Sequence, residues 1–277
     1  MPKVIKNKIF ITGAAGFLGE KIVQKFSEKD DFVYSFDKKN KKKNFKNTLY
    51  LKGDIANIKK YKKEINNSNI IIYAASLSRN HQSVYFPKLY YEQNIINLIK
   101  FLKLIKLPSN KYFYFISSID VLKHKNYDEL TPYIISKIAC EKILIEYCKL
   151  KKIKVRIFRI SSLFDVFNLD SFRFLSKISK LAKKNKKIYL DKNLKKLNYV
   201  NLDFVVNKIF ESIKKPNHKK IIIFEIKNKK NISQRNIVQK LLNSLGYKRK
   251  PLYVNENINV KMNFKKIYQN KNISFVN

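Results

Sequence analysis

Glycine is scarce in this chain, five among 277 residues; proline numbers six and tryptophan is missing. So little of either breaker excludes collagen-like and Pro/Gly-rich disordered classes. Cysteine is confined to Cys140 and Cys148, and histidine to three positions. That excludes a disulfide framework and any zinc-ligand spacing, so reduced thiols and no metal are expected. No run of about 18 apolar residues occurs, so no membrane span is expected. The opening residues Met1 to Lys8 carry no signal-peptide pattern, which points to a cytoplasmic setting. Acidic residues are few as well, 20 against 60 Lys and Arg, for a net charge of +40. Taken alone, such a charge predicts attraction to nucleic acid, anionic membrane or anionic metabolites. Yet Lys, Asn, Ile, Phe and Tyr are abundant together, the mark of AT-rich coding. The lysines are spread throughout rather than gathered on one face with interleaved aromatics. Runs such as 38–43 and 183–187 then read as solvated faces.

What is present is a 45% hydrophobic chain, enough for a sizeable core. Apolar runs of strand length alternate with helical patterns. Strands are expected at Lys8–Thr12, Phe32–Asp37, 49–52, Ile70–Tyr73, 112–117 and 155–160. Helices are expected at 18–28, 58–65, 89–105 and 132–150. Parallel strands need crossovers, and helical crossovers cover both sheet faces. The fold class is therefore α/β: a Rossmann-type doubly wound parallel sheet with a small C-terminal α/β substrate lobe. Residues 1–160 form the nucleotide-binding domain and 161–277 the lobe, with helix 204–213 and strand 221–226 free to return to the first domain. The lobe's further elements are a helix at 172–184, strands at 188–190 and 199–202, and a helix at 234–245.

Three of the five glycines fall in Thr12-Gly13-Ala14-Ala15-Gly16-Phe17-Leu18-Gly19, directly after the first strand. In that place they permit a tight turn and a close backbone approach to a pyrophosphate, beside the open N–H groups of a helix start. Asp37, about twenty residues on, ends the second strand where a carboxylate binds ribose hydroxyls. This favours NAD over NADP, with Lys38 and Lys39 as the feature that would suit a 2′-phosphate.

From here the chain resembles the NAD-dependent epimerase/dehydratase family, the extended short-chain dehydrogenase/reductases that modify nucleotide sugars. Gly53-Asp54-Ile55 resembles the family's adenine contact, and Tyr73-Ala74-Ala75-Ser76 its turn beneath the cofactor. Asn94 resembles the polar residue of a long helix, and Ser117-Ser118 the end of its fifth strand. Thr131-Pro132-Tyr133-Ile134-Ile135-Ser136-Lys137 carries the Tyr-x-x-x-Lys signature, followed by Glu141. The stretch from Arg156 to Phe164 and the one from Tyr199 to Asp203 complete the match, which runs nearly end to end. The resemblance implies cofactor contacts at Gly13, Ala15, Gly16, Phe17, Leu18, Gly19, Asp37, Lys38, Asp54, Ile55, Ala74, Ala75, Ser76, Asn94, Ser117, Tyr133 and Lys137. Ser118, Tyr133 and Lys137 would be catalytic, with a nucleotide sugar as substrate and a homodimer as an open expectation.

The chemistry of those residues is consistent with that role. Tyr133 and Lys137, four apart, share one helix face. A tyrosine titrates near about pH 10, too high for a base at neutral pH; an adjacent ammonium favours the phenolate. Tyr133 could then take a proton from a substrate hydroxyl or return one to a ketone. Ser118 would hydrogen-bond the same oxygen and Lys137 would also hold the nicotinamide ribose. Arg79 and His81, in the loop after Ser76, are further substrate candidates, as is Ser162, standing where the family often has Asn.

Several departures narrow the reading. The dehydratases' Asp-Glu pair is Ile119-Asp120 here, which disfavours 4,6-dehydration. The usual Tyr-Gly is Leu122-Lys123, and a usual Gly is Asp165. The Arg that clamps the substrate pyrophosphate aligns with Leu197, beside Lys195 and Lys196, which lack its bidentate fork. An epimerase or a 4-ketoreductase is the expected activity. The alternatives are a basic nucleic-acid-binding protein and a non-catalytic cofactor sensor on the same scaffold. His124 and His218 show no metal-binding spacing.

Overall fold

The computed structural model describes residues 7–254 except 30, 41–42, 107–111, 165–173, 193, 195, 216 and 218. Asp165, Lys195 and His218 lie outside the described residues. Six strands appear in the first part of the chain: β1 (Lys8–Thr12), β2 (Phe32–Asp37), β3 (Thr48–Lys52), β4 (Ile70–Tyr73), β5 (Tyr112–Ser118) and β6 (Lys154–Ile160). With a seventh, Ile221–Ile226, they form one sheet in the order Ile221–Ile226, β6, β5, β4, β1, β2, β3. Every neighbouring pair is parallel. This is the doubly wound topology that the alternation of apolar runs predicts, with the chain reversing direction between β1 and β4.

Period-two alternation assigns each strand residue to a face. Phe10, Phe36, Ile71, Tyr73, Phe113, Phe115 and Ile157 point to one core, where they meet Leu98, Phe101, Cys140, Leu144 and Cys148. Ile9, Ile11, Val33, Ile72, Tyr114, Phe158 and Ile160 point to the other. There they meet helix α1 (Phe17–Ser27) through Leu18, Ile22, Val23 and Phe26, and the helix Leu202–Lys214 through Leu202, Val205, Val206 and Ile209. Both cores are aromatic-rich; Phe158 stacks on Phe224 at 4.9 Å, joining β6 to the seventh strand. Buried on both faces, these strands read as continuous apolar runs.

The chain divides into two compact units: Met1–Leu163 with Val200–Lys227, and Phe164–Tyr199 with Asn228–Asn277. The helix and strand at 204–213 and 221–226 thus fall in the first. The second unit has its own small core, in which Leu175 and Ile178 of one helix (Phe174–Lys183) join Val238, Leu241 and Leu242 of another (Gln234–Ser244). Its strands are short: Tyr189–Asp191 pairs with Leu252–Val254, and Lys196–Leu197 with Ile232–Ser233.

Two helices differ from expectation. The stretch expected as one helix at 58–65 opens as a 3₁₀ turn, Ile55–Tyr61, and becomes α-helical only at Lys62–Asn67. The helix expected at 89–105 is a continuous rod of Pro87–Tyr90, a π-helical segment Tyr91–Ile96, and Asn97–Leu104.

Candidate functional site

The carboxyl ends of β1 and β4, the topological switch point, are tied together. Thr12 accepts Ala74 N–H at its carbonyl (3.3 Å) and Ala75 N–H at its Oγ1 (3.1 Å). Gly13 stands in the left-handed region, φ +70°, and a Cβ there would lie 2.7 Å from Ala75 N and 2.8 Å from Ala74 C. Only glycine lets the two turns close to this distance. Gly19 in the first turn of α1 faces the Gly13 carbonyl so closely that a Cβ would overlap it. Gly16 caps α1 without a side-chain hydrogen bond, so the helix start presents its positive end to the turn. Asp37 organises the same turn: its Oδ2 accepts Ala15 N–H at 3.0 Å and its Oδ1 accepts Lys39 N–H at 2.8 Å.

Gly13, Gly16, Asp37, Lys38, Asp54, Ile55, Ala74, Ala75 and Ser76 line a single cavity of about 210 Å³. Ala15 lines a second, of about 470 Å³, which also includes Asp37, with Lys39, Lys43 and Lys52. Leu18 and Gly19 are buried and Phe17 is half-buried against the core on the α1 side, so none of the three lines either cavity. A cradle that a methyl group would fill, at the start of a helix, fits a dinucleotide.

The Tyr133/Lys137 pair is carried by the helix Pro132–Lys151, which Thr131 caps by accepting Ile134 N–H at 3.4 Å. Asn80, not singled out in the sequence, accepts a hydrogen bond from the Thr131 hydroxyl. Tyr133 is buried among Tyr90, Leu77 and Leu130, with the Tyr90 ring edge-on at 6.4 Å. Lys137 is 3% exposed; its Nζ donates to the Ile116 carbonyl at 2.9 Å and lies 4.9 Å from the Phe115 ring centre. Burial lowers its ammonium to about 8, against the raising influence of Cys140 and Glu141. Ser118 ends β5, accepting Asp120 N–H and donating to Asp120 Oδ2, both at 3.2 Å.

The model of the NAD dependent epimerase/dehydratase family matches residues 9–216 of this sequence. The chain belongs to that family. Its members are NAD-dependent enzymes, and the basic nucleic-acid-binding alternative finds no support. The fold is that of solved family structures. A UDP-glucose 4-epimerase from Thermotoga maritima, solved with UDP-glucose, is 20% identical, with TM-score 0.76 over 89% of this chain and 85% of that one. A UDP-N-acetylglucosamine 4-epimerase from Methanobrevibacter ruminantium, in complex with UDP-N-acetylmuramic acid, is 16% identical, with TM-score 0.77 over 92% and 87%. A dTDP-glucose 4,6-dehydratase from Bacillus anthracis in complex with NAD is 19% identical, with TM-score 0.74 over 89% and 84%. No curated protein matches the chain by sequence.

Other family positions fall as follows. Asn94 is no surface residue: it is 2% exposed. Its Oδ1 accepts Leu77 N–H (2.8 Å) and the Ser76 hydroxyl (3.1 Å), while its Nδ2 donates to Leu77 O (3.1 Å) and Ser136 Oγ (2.9 Å). It therefore joins the turn after β4 to the Tyr133/Lys137 helix. Arg79 and His81 are exposed at the start of the short helix Asn80–Tyr85, His81 against the Tyr85 ring, and Ser162 is exposed too. Ser117 faces inward, donating to Glu141 Oε1 at 2.5 Å. Asp120 also pairs with Lys123, which reaches Glu129; Arg159, not singled out in the sequence, reaches Glu141 at 2.7 Å. Among the described residues, no group of three or more His, Cys, Asp or Glu could hold a metal ion, and no helix is long and apolar enough to cross a membrane.

Proposed function

We propose that the chain interconverts a secondary alcohol and a ketone on a nucleotide sugar, as a 4-epimerase or a 4-ketoreductase. What carries the reading is Lys137, a buried ammonium four residues after Tyr133, pinned to the strand that ends in Ser118. The Gly13–Gly19 turn would hold the pyrophosphate of NAD, Asp37 and Lys38 the adenosine ribose, and Asp54 and Ile55 the adenine. Ala74, Ala75 and Ser76 would run beneath it, with Ser117 and Asn94 shaping the nicotinamide end. NAD, when bound, supplies the hydride acceptor and donor. Tyr133 moves the proton at the reacting oxygen, Ser118 orients that oxygen, and Lys137 holds the ribose and favours the phenolate. Ser118 must turn its hydroxyl from Asp120 toward substrate. Arg79, His81 and Ser162 are candidate sugar or nucleotide contacts. Asp120 beside Ile119 lacks the adjacent acid that elimination needs, which favours epimerisation or reduction.

The test is to denature the purified protein and identify any released nucleotide by mass spectrometry, then assay UDP-hexoses. Released NAD with interconversion of UDP-glucose and UDP-galactose supports the epimerase. An empty site, with NADH or NADPH oxidised by a UDP-4-keto-hexose, supports the reductase. No retained or added dinucleotide binding, measured by NADH fluorescence, removes both.

A homodimer is part of the same reading. The Pro132–Lys151 helix exposes Ile135 and Leu150, and the π-helical segment packed on it exposes Ile96. Large apolar side chains left exposed on packed helices suit a covered face. Sedimentation equilibrium should give twice the 32.9 kDa chain mass, falling to one chain in Ile96→Glu/Ile135→Glu. A monomeric parent protein ends this part of the proposal. A cytoplasmic setting accords with Cys140 and Cys148, both buried as free thiols.

A further inference from the structure

Among the described residues of the first unit, the most heavily bonded buried charge lies outside the Ser118/Tyr133/Lys137 set. Glu141 is 4% exposed. Its Oε1 and Oε2 accept Arg159 Nε, each at 3.2 Å; Oε2 accepts Arg159 Nη2 at 2.7 Å, and Oε1 accepts the Ser117 hydroxyl at 2.5 Å. The fork-on-carboxylate geometry is the directional, strong form of such a pair. Arg159 sits on β6 directly opposite Ser117 of β5 and reaches Glu225 of the next strand at 3.7 Å.

Two adjacent residues of β5 are therefore held by two residues of one helix, a turn apart. Ile116 receives Lys137 and Ser117 reaches Glu141; the next residue is Ser118. Resting on the function proposed above, we propose that Glu141 is a positioning residue for the Tyr133/Lys137 pair: clamped by Arg159, it fixes the helix against the end of β5 and supplies the counter-charge to the Lys137 ammonium.

The groups that raise that ammonium against burial are Cys140 and Glu141, both on its own helix. β5 presents the Ile116 carbonyl and the Phe115 ring, and β6 carries Arg159, bonded to Glu141. The other segments packed on this helix carry Glu92, the exposed His81, and Asp120 paired with Lys123. Cys140 donates its thiol proton to the Asn94 carbonyl, and burial pushes it up to about 11, so it is neutral at working pH. Glu141 is then the anion that sustains the charge on Lys137 against burial.

The test reads Lys137 directly, whether or not the substrate class is right. Protein labelled with [15N]lysine gives an Nζ signal assigned by its loss in Lys137→Arg. In Glu141→Gln/Arg159→Gln, which removes both buried charges and so leaves neither unpaired, the Nζ titration midpoint should fall by about one pH unit. Glu141→Asp should restore most of it. The alkaline limb of kcat/KM, measured with UDP-glucose or a UDP-4-keto-hexose, should move to lower pH with it. If the double variant folds and its Lys137 midpoint is unmoved, Glu141 supplies no counter-charge and the proposal fails, whatever the melting temperature. Should the double variant not fold, Arg159→Lys is read instead. It keeps both charges but loses the fork that clamps Glu141, so its Lys137 midpoint should fall part of the way; an unmoved midpoint would overturn the proposal. A shifted midpoint in a protein inactive on every UDP-hexose would uphold this inference and sink only the substrate reading.

Discussion

Tyr133→Phe is expected to lower turnover by about 10²- to 10⁴-fold, the usual contribution of a positioned acid–base group. NAD affinity should stay nearly unchanged. The substitution deletes one oxygen and leaves the ring where Tyr90, Leu77 and Leu130 hold it. The glycine turn, Asp37 and the Lys137–Ile116 bond do not involve that oxygen. An effect on kcat without one on dinucleotide binding is the signature of a group acting only in the transition state. The measurement pairs steady-state kinetics with NADH fluorescence titration. Undiminished turnover would remove Tyr133 from the mechanism; a parallel loss of cofactor binding would make it a packing residue instead. Lys137 gives a useful contrast. Its ammonium is both buried and expected to touch the ribose, so Lys137→Met should lower binding and turnover together.

Local chemistry made the sheet legible. Strands β1, β2 and β4 begin and end where their apolar runs do, because each is bounded by turn residues and buried on both faces. The glycine turn was legible because glycine is otherwise so rare: three of five sit within seven residues. Asp54 shows how one residue carries two signals. Its Oδ1 accepts Ala56 N–H at 2.9 Å and so starts the 3₁₀ turn at Ile55. An acidic residue before an apolar one is a cap signal as well as the family's adenine contact. The expected helix start at 58 was three residues late.

Nonlocal effects were not legible. The pattern from 89 to 105 is helical throughout, and nothing in it marks the wider turn at Tyr91–Ile96. The partners of that turn lie some forty residues onward: Ser136 Oγ accepts the Asn94 amide and the Cys140 thiol donates to the Asn94 carbonyl, on a helix the turn packs against. Glu141 and Arg159 met the same obstacle. One is on a helix and the other on a strand eighteen residues later, and only the Ser117–Arg159 register brings them together. Single residues named a candidate site; the side chains that hold it rigid emerged only with the pairing of strands.

The second large effect belongs to Gly13→Ala, and Gly246 supplies its control. Both glycines have a left-handed backbone, φ +70° and +65°. Gly246 follows the helix Gln234–Ser244, where a Cβ would meet nothing within 4 Å. There, Ala costs only the conformational penalty, about 1–2 kcal/mol. At Gly13 the same penalty is joined by contacts of 2.7 and 2.8 Å with backbone atoms of Ala75 and Ala74. Neither turn can yield alone, since Thr12 bonds both Ala74 and Ala75, and Ala14 N–H is held by the Phe36 carbonyl. The turn must open, moving the N–H groups that would meet the pyrophosphate. NAD binding should weaken by about 100-fold or more, near 2.7 kcal/mol. Gly246→Ala should leave it unaltered while lowering the melting temperature slightly. Binding titrations on the two variants side by side separate backbone strain from contact. Equal, small effects from both would mean that the tight approach of the β1 and β4 turns has no part in holding the dinucleotide.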